Sequence, residues 1–208
     1  MIIAVDGPAA AGKGTLSRML AEHFDFARLD TGLIYRAVAK KVIELGGPSN
    51  DESTAEIAQL LVFNDLDKKG LRDENVGAVA SEIAIIPEVR NKLLRFQRNF
   101  AKNPPNGKSG AVLDGRDIGT VVCPNANFKL FVTASTEVRV KRRYKELQDR
   151  GDKAIRSAVR RDIIDRDERD KMRFASPLIP AEDAHILETS KLDANAVFKK
   201  ALNLMSLQ

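Results

Sequence analysis

Residues 7 to 15 read Gly7-Pro8-Ala9-Ala10-Ala11-Gly12-Lys13-Gly14-Thr15, directly after the apolar run Met1 to Val5 and Asp6. The spacing G-x-x-x-x-G-K lets successive backbone N–H groups curl around a phosphate. It sets a lysine on the outer oxygens and aims a helix N-terminus at their charge. Glycine and alanine dominate because a large side chain would fill the volume the phosphate needs. A tight strand-to-helix turn with an incidental lysine is the plainer alternative; the spacing and the strand before it together favour the phosphate. Gly14 stands where a hydroxyl usually meets magnesium, and Thr15 follows one residue later.

Three more segments could do chemistry. In Leu29-Asp30-Thr31-Gly32-Leu33-Ile34-Tyr35-Arg36, Asp30 or Thr31 is expected to cap a helix, with Arg36 just over a turn inside it. A cation so near a helix start opposes the dipole, which suits an arginine reaching for an anion as well as an ordinary surface arginine. In Val112-Leu113-Asp114-Gly115-Arg116-Asp117-Ile118-Gly119-Thr120, an apolar strand ends in an acid. Asp114 is the candidate to organise magnesium, directly or through water, with Thr15 as a second oxygen. Turn formation would explain Asp114, Gly115 and Asp117 one by one but not the Arg116 between them. In Arg166 to Arg173, the positions 166, 169 or 170, and 173 share one helical face, either functional or simply solvated.

The elements that must position these residues alternate. Strand-length apolar runs lie at Ile2 to Val5, Ala111 to Leu113, Phe128 to Val132 and His185 to Leu187, with a weaker fifth at Phe26 to Leu29. Helical patterns at Leu16 to His23, Ile34 to Leu45, Val138 to Leu147 and Ala194 to Leu204 separate or close them. Strands apolar almost throughout imply an α/β fold with a five-stranded parallel sheet covered by helices on both faces. Ligands then bind beyond the carboxyl ends of the strands. Residues 35 to 110 hold only helical stretches, near Thr54 to Val62, Asn75 to Ile86 and Val89 to Ala101, with turns at Asp65 to Asp73 and at 103 to 107. The expected organisation is a single domain with a core at about 1–30, 110–148 and 174–208. A mostly helical monophosphate-binding insertion occupies about 31–109, and a short basic lid with an arginine-rich helix about 149–173.

Composition narrows the class. A chain of 208 residues that is 43% hydrophobic and 30% charged suits one soluble domain. No apolar run approaches a membrane span, so a cytoplasmic location is expected. The one cysteine, Cys123, excludes an intramolecular disulfide and reads as a small buried hydrophobe. His23 and His185 stand apart with no ligand cluster, against a structural metal. The net charge of +5 is concentrated: residues 139 to 173 hold 14 Lys/Arg against 8 Asp/Glu. Such a block could bind nucleic acid, surround nucleotide phosphates, or line a solvated helix; the interspersed acids argue against nucleic acid.

Together the motifs closely resemble bacterial cytidylate kinases. GPAAAGKGT, LDTGLIYR, SEIAIIPEVR, LDGRDIGTVV and RDERDKMRFASPL occur in family order across nearly the whole chain, and the GKGT ending is common among P-loop kinases of small phosphorylated substrates. The resemblance implies transfer of the γ-phosphate of ATP to CMP or dCMP in pyrimidine metabolism, with Mg2+, by a cytoplasmic monomer. It places the ATP phosphates on Gly7, Pro8, Ala9, Ala10, Ala11, Gly12, Lys13, Gly14 and Thr15. Thr31 and Arg36 approach the acceptor, with Arg36 on its phosphate. Ser81, Arg90 and Asp117 read cytosine, Arg116 and Arg173 hold the CMP phosphate, and Arg166 and Asp170 the sugar. The substrate-side insertion is usually longer and carries a small sheet; here only Val62 to Val76 spans that place.

The chemistry has its own logic. A nucleoside monophosphate has a second pKa of roughly 6, so its attacking oxygen is ionised at neutral pH and needs no general base. Catalysis becomes the positioning of two polyanions and the neutralisation of charge on the transferred group. The planar forks of Arg36, Arg116 and Arg173, with Lys13, suit that task. An alcohol acceptor such as shikimate would need a base and fewer arginines. A lid bearing Arg150, Lys153, Arg156 and Arg160 would keep water out.

Overall fold

The structure is a computed structural model that describes residues 1–47, 51–173 and 176–206. Its secondary structure runs β1 (Ile2–Asp6), α1 (Lys13–Phe24), β2 (Ala27–Asp30), α2 (Thr31–Glu44), α3 (Asp51–Gln59), α4 (Glu74–Ile83), α5 (Pro87–Lys102), β3 (Ala111–Gly115), β4 (Phe128–Thr133), α6 (Thr136–Asp149), α7 (Arg156–Met172), β5 (His185–Glu188) and α8 (Ala194–Met205). The chain folds as two compact units, one of residues 1–28 and 104–208, the other of residues 29–103.

The first unit is built on a five-stranded sheet in the order β2-β3-β1-β4-β5. Strand β1 pairs in parallel with β3 (Asp6 opposite Gly115) and with β4 (Asp6 opposite Phe131), and β4 pairs in parallel with β5. Successive side chains of a strand point to opposite faces. All five residues of β3 and four of β1 are buried, so both faces of the sheet centre are covered. Ile3, Val5, Val112, Leu130, Val132 and Leu187 close a core with Leu16 and Leu20 of α1 and Val197 and Ala201 of α8. Each of the valine, leucine and isoleucine side chains contributes about 1.5–3 kcal/mol when fully buried. A smaller core of Val140, Leu147, Val159 and Ile163 joins α6 to α7. Cys123 is buried; His23 packs edge-on against Phe24 and Phe198, and His185 stacks on Phe128.

The second unit is helical apart from the end of β2 among the described residues. Helix α2 packs on α4 and α3, and α3 on α5. The expected turn from Asp65 to Asp73 begins instead within a 3-10 helix, Phe63–Asp67. Phe63 anchors it against Phe96 and Phe100, with ring centroids at 4.6 and 5.7 Å. Asp65 is buried there, where it accepts from Lys41 (2.6 Å) and the Val62 amide (3.0 Å) and pairs with Lys68. Burial alone would push its carboxyl up, but these partners bring it down to about 2.

Candidate active site

The loop between β1 and α1 is shaped from both sides. Gly7 has φ 143°, and a Cβ there would lie 2.0 Å from the carbonyl oxygen of Val132 on β4, so only glycine fits. Ala10 (φ 57°) and Gly12 (φ 101°) take left-handed conformations that curl the loop. Its carbonyls are held from outside. Arg139 Nη1 donates to Ala9 O (3.4 Å), while Arg142 Nη1 (3.1 Å) and Thr189 Oγ1 (3.0 Å) donate to Ala11 O. Helix α1 starts at Lys13 with Gly12 as N-cap and no side-chain cap, so its orphan N–H groups are left for an anion.

Lys13 is buried, and its Nζ donates to Pro8 O at 2.7 Å. Burial pushes its ammonium down to about 7, the Arg116 and Arg166 guanidiniums add to this, and Asp114 and Asp170 oppose it. Asp114, at the carboxyl end of β3 beside the P-loop strand, is also buried. Ser17 Oγ donates to its Oδ2 at 2.6 Å, Arg28 Nη2 donates to the same oxygen at 3.1 Å, and Arg28 Nε bonds Ser17 Oγ at 3.0 Å. Thr15 is exposed in the first turn of α1.

Beyond β3, Asp170 gathers the arginines. It is fully buried and accepts from Arg116 Nε at 2.8 Å and from Arg173. Burial would push its carboxyl up, yet Arg116, Arg173 and Arg166 outweigh that and hold it below the usual carboxylate range. The expected shared helical face is thus only partly realised: α7 ends at Met172, Arg173 follows in extended conformation, and Arg169 is exposed with its Nε on its own Asp165 carbonyl. Phe174 and Ala175 of the RDERDKMRFASPL segment lie outside the described residues, as do 48–50 of the insertion and 207–208 at the end of the core. Asp117 is buried at the start of a single π-helical turn, Ile118–Val122. Of the basic residues expected in a lid, Arg156 and Arg160 lie in the opening turns of α7 and pair with Glu137, and Arg150 pairs with Glu146.

In the unit of residues 29–103, Asp30 is the N-cap of α2 by position, but its side chain makes no capping bond and accepts instead from Arg72 at 3.1 Å. Thr31 is buried at the first helical position. Arg36 Nη1 donates to the carbonyls of Leu71 (3.0 Å) and Asp73 (3.2 Å). Gly77 makes this possible, because a Cβ there would come within 2.6 Å of the Arg36 guanidinium. Arg90 Nη1 donates to Ala84 O at 3.1 Å, and its guanidinium carbon sits 6.0 Å from the centre of the Tyr35 ring. Ser81 is buried with its hydroxyl unsatisfied among the described residues.

The first unit therefore brings Lys13, Asp114, Arg116, Arg166, Asp170 and Arg173 into one electrostatic cluster. The second carries Thr31, Arg36, Ser81 and Arg90. Ser17, Arg28, Arg139, Arg142 and Thr189 escaped the sequence reading. Their partners are remote in sequence, and the only trace was the overall basic excess of residues 139 to 173.

A family model described as Cytidylate kinase matches residues 3–207. The chain is 56% identical over 205 residues to the cytidylate kinase of Paramagnetospirillum magneticum (98% of this chain, 97% of that protein). It is 53% identical over 203 residues to that of Methylocella silvestris (97% and 92%). Among solved structures, an uncharacterized protein from Eubacterium ventriosum superposes with a TM-score of 0.57 at 13% identity (100% of this chain, 99% of that one). A shikimate kinase from Bacteroides thetaiotaomicron does so with 0.50 at 15% identity (100% and 97%), a likeness of fold.

Proposed function

The chain belongs to the cytidylate kinase family, and from that premise we propose that it passes the γ-phosphate of ATP to CMP or dCMP, giving ADP and CDP or dCDP. The observation that carries this is the arginine cluster on Asp170 beside Lys13: a second anion site next to a phosphate loop is what a kinase of a phosphorylated acceptor needs.

Residues 7 to 15 hold the donor phosphates, with Lys13 on the outer oxygens. A lysine whose charge is disfavoured by burial gains it back when a polyanion arrives. Arg36, Arg116 and Arg173 hold the acceptor phosphate, and Arg166 and Asp170 the sugar. Asp170 also aims Arg116 and Arg173, and it keeps their combined charge from repelling Lys13 too strongly. Thr31 supports the acceptor. No base is required, because the attacking phosphate oxygen is already ionised.

Base choice falls to Ser81, Arg90 and Asp117. The unsatisfied Ser81 hydroxyl is a donor and acceptor waiting in a buried place, and Arg90 is steadied by Tyr35 and Ala84. Cytosine offers an amino group at N4 where uracil offers a carbonyl, so the Asp117 carboxylate accepts from the first and repels the second. An unpaired buried carboxylate disfavours uracil by on the order of 1–3 kcal/mol.

Magnesium fits the donors present. Asp114 at the end of β3 and the exposed Thr15 hydroxyl offer the hard oxygen that magnesium takes. Asp114 and Thr15 would hold the ion, which would supply charge neutralisation on the donor phosphates. The proposal extends to a cytoplasmic monomer without nucleic-acid or membrane partners; among the described residues no helix is long and apolar enough to cross a membrane.

A coupled ADP-release assay across CMP, dCMP, UMP, AMP, dTMP and shikimate tests the reading. CMP and dCMP are expected to lead; equal or better turnover with another acceptor overturns it. Asp117→Ala is expected to shrink the CMP-to-UMP ratio of kcat/KM, and a preserved ratio moves base reading to Ser81 and Arg90.

A further inference from the structure

Asp6 closes β1 one residue before the phosphate loop, and its side chain bonds to the segment after β3. It is 5% exposed. Its Oδ1 accepts the backbone N–H of Ile118 at 2.8 Å and its Oδ2 that of Gly119 at 2.7 Å. Those N–H groups open the π-helical turn Ile118–Val122 and have no intrahelical partner there. On the other side of the same peptide chain, the Asp117 carbonyl accepts from the amides of Val121 (2.9 Å) and Val122 (3.0 Å). The backbone that carries Asp117 is therefore tied down at its carbonyl and at the next two amides. Gly119 sits against the clamp: a Cβ there would lie in contact with Asp6 Oδ2 at 3.4 Å and crowd Lys129 Cδ at 3.1 Å.

We propose that Asp6 is a positioning residue for acceptor selection: its carboxylate fixes the turn that aims Asp117, and with it the adjoining Arg116, while binding neither nucleotide itself. The inference rests on the reading of Arg116 and Asp117 as acceptor-binding residues. A π-turn stores an irregular backbone that recurs at functional sites and needs outside support. Two charge-assisted bonds from one buried carboxylate give that support. The charged groups around Asp6 are Asp117, which opposes its ionisation, and Lys13, which favours it; burial is the larger influence and raises its carboxyl to about 6, so both oxygens accept at pH 7.5.

The test is Asp6→Asn, which keeps the size but turns one acceptor into an NH2 facing another N–H. The variant is expected to raise KM for CMP about tenfold and to narrow the CMP-to-UMP ratio, with KM for ATP within about twofold of wild type, because misaiming one loop weakens one substrate. A parallel rise in both KM values, or no change in either, overturns the proposal. Gly119→Ala strains the same clamp from its other side and is expected to repeat the pattern if Asp6→Asn folds poorly. Amide exchange of Ile118 and Gly119 gives a readout independent of activity: protection is expected to fall in Asp6→Asn, and unchanged protection also overturns the clamp. If wild type lacks CMP turnover while the amides still lose protection, the acceptor reading has failed and the clamp has not.

Discussion

Several arginines of the two units are secured by different anchors. In the sheet unit, Arg116 and Arg173 are tied to the buried carboxylate of Asp170, Arg139 to Asp167, and Arg28 to Asp114. In the helical unit, Arg36 is tied to the carbonyls of Leu71 and Asp73 and Arg90 to that of Ala84. A carboxylate fixes a guanidinium and offsets its charge, whereas a carbonyl holds it through a dipole. Breaking the pairs on buried Asp170 should therefore cost the sheet unit stability as well as activity.

The largest expected effect lies at the heart of the first unit. Lys13→Ala should reduce phosphoryl transfer by about a thousandfold or more, with an unchanged circular dichroism spectrum; a variant within tenfold of wild type would remove the loop lysine from the chemistry. Next is the direct contrast between anchors. Asp170→Asn should lower the unfolding free energy by about 3 kcal/mol, since it removes the fully buried carboxylate charge on which Arg116 and Arg173 converge. Arg36→Ala should shift stability by under about 1 kcal/mol while raising KM for CMP at least about tenfold. Equal destabilisation of the two in urea titrations breaks the comparison.

A pH experiment sharpens it. With a pKa of about 7, Lys13 is mostly neutral at pH 8 in the free protein. Its ordinary value is 10.5, so a polyanion that stabilises the charged form pulls the pKa back up. Nucleotide binding at pH 8 should then take up a large fraction of a proton, and the uptake should fade as pH drops below about 6, where Lys13 is already charged. Calorimetry in buffers of differing ionisation enthalpy reads this directly, and a Lys13→Met variant should show none. Uptake that survives in that variant assigns the proton elsewhere.

Smaller effects belong to the second unit. Gly77→Ala pushes on the Arg36 guanidinium and should raise KM for CMP several-fold with ATP unaffected. Ser81→Ala removes a hydroxyl that is already unsatisfied, so stability should hold or rise slightly, while CMP-to-UMP discrimination falls a few-fold, under about 1 kcal/mol. A clear loss of stability would mean that Ser81 has an essential partner within the fold.

The elements were legible because their signals are local. The alternation of apolar strands with amphipathic helices gave the five strands within a residue or two; Asp114, Arg116 and Asp117 fall at or just past the end of β3, and Lys13 opens the helix after β1. Local signals also misled at their edges: Asp65 looked like a turn residue and is a buried ion-pair centre, while Asp30 takes the expected cap position but gives its side chain to Arg72. What escaped was the support. Asp6 read as a break in an apolar run, yet it grips amides more than a hundred residues away; Thr189 reaches Ala11 across 178 positions. Arg28 sat in the weakest strand, and its partner Ser17 was one more polar residue in a helix. Pairings at such range follow from the order of strands in the sheet, which no single stretch of sequence encodes.

The corner at Gly7 bears on inhibitor design. Every other amino acid brings a Cβ, and the Val132 carbonyl stands where it would go, so no substitution at this position is neutral to the loop. A compound whose contacts converge on that corner meets a surface that selection for resistance cannot reshape there without first dismantling the donor site it protects.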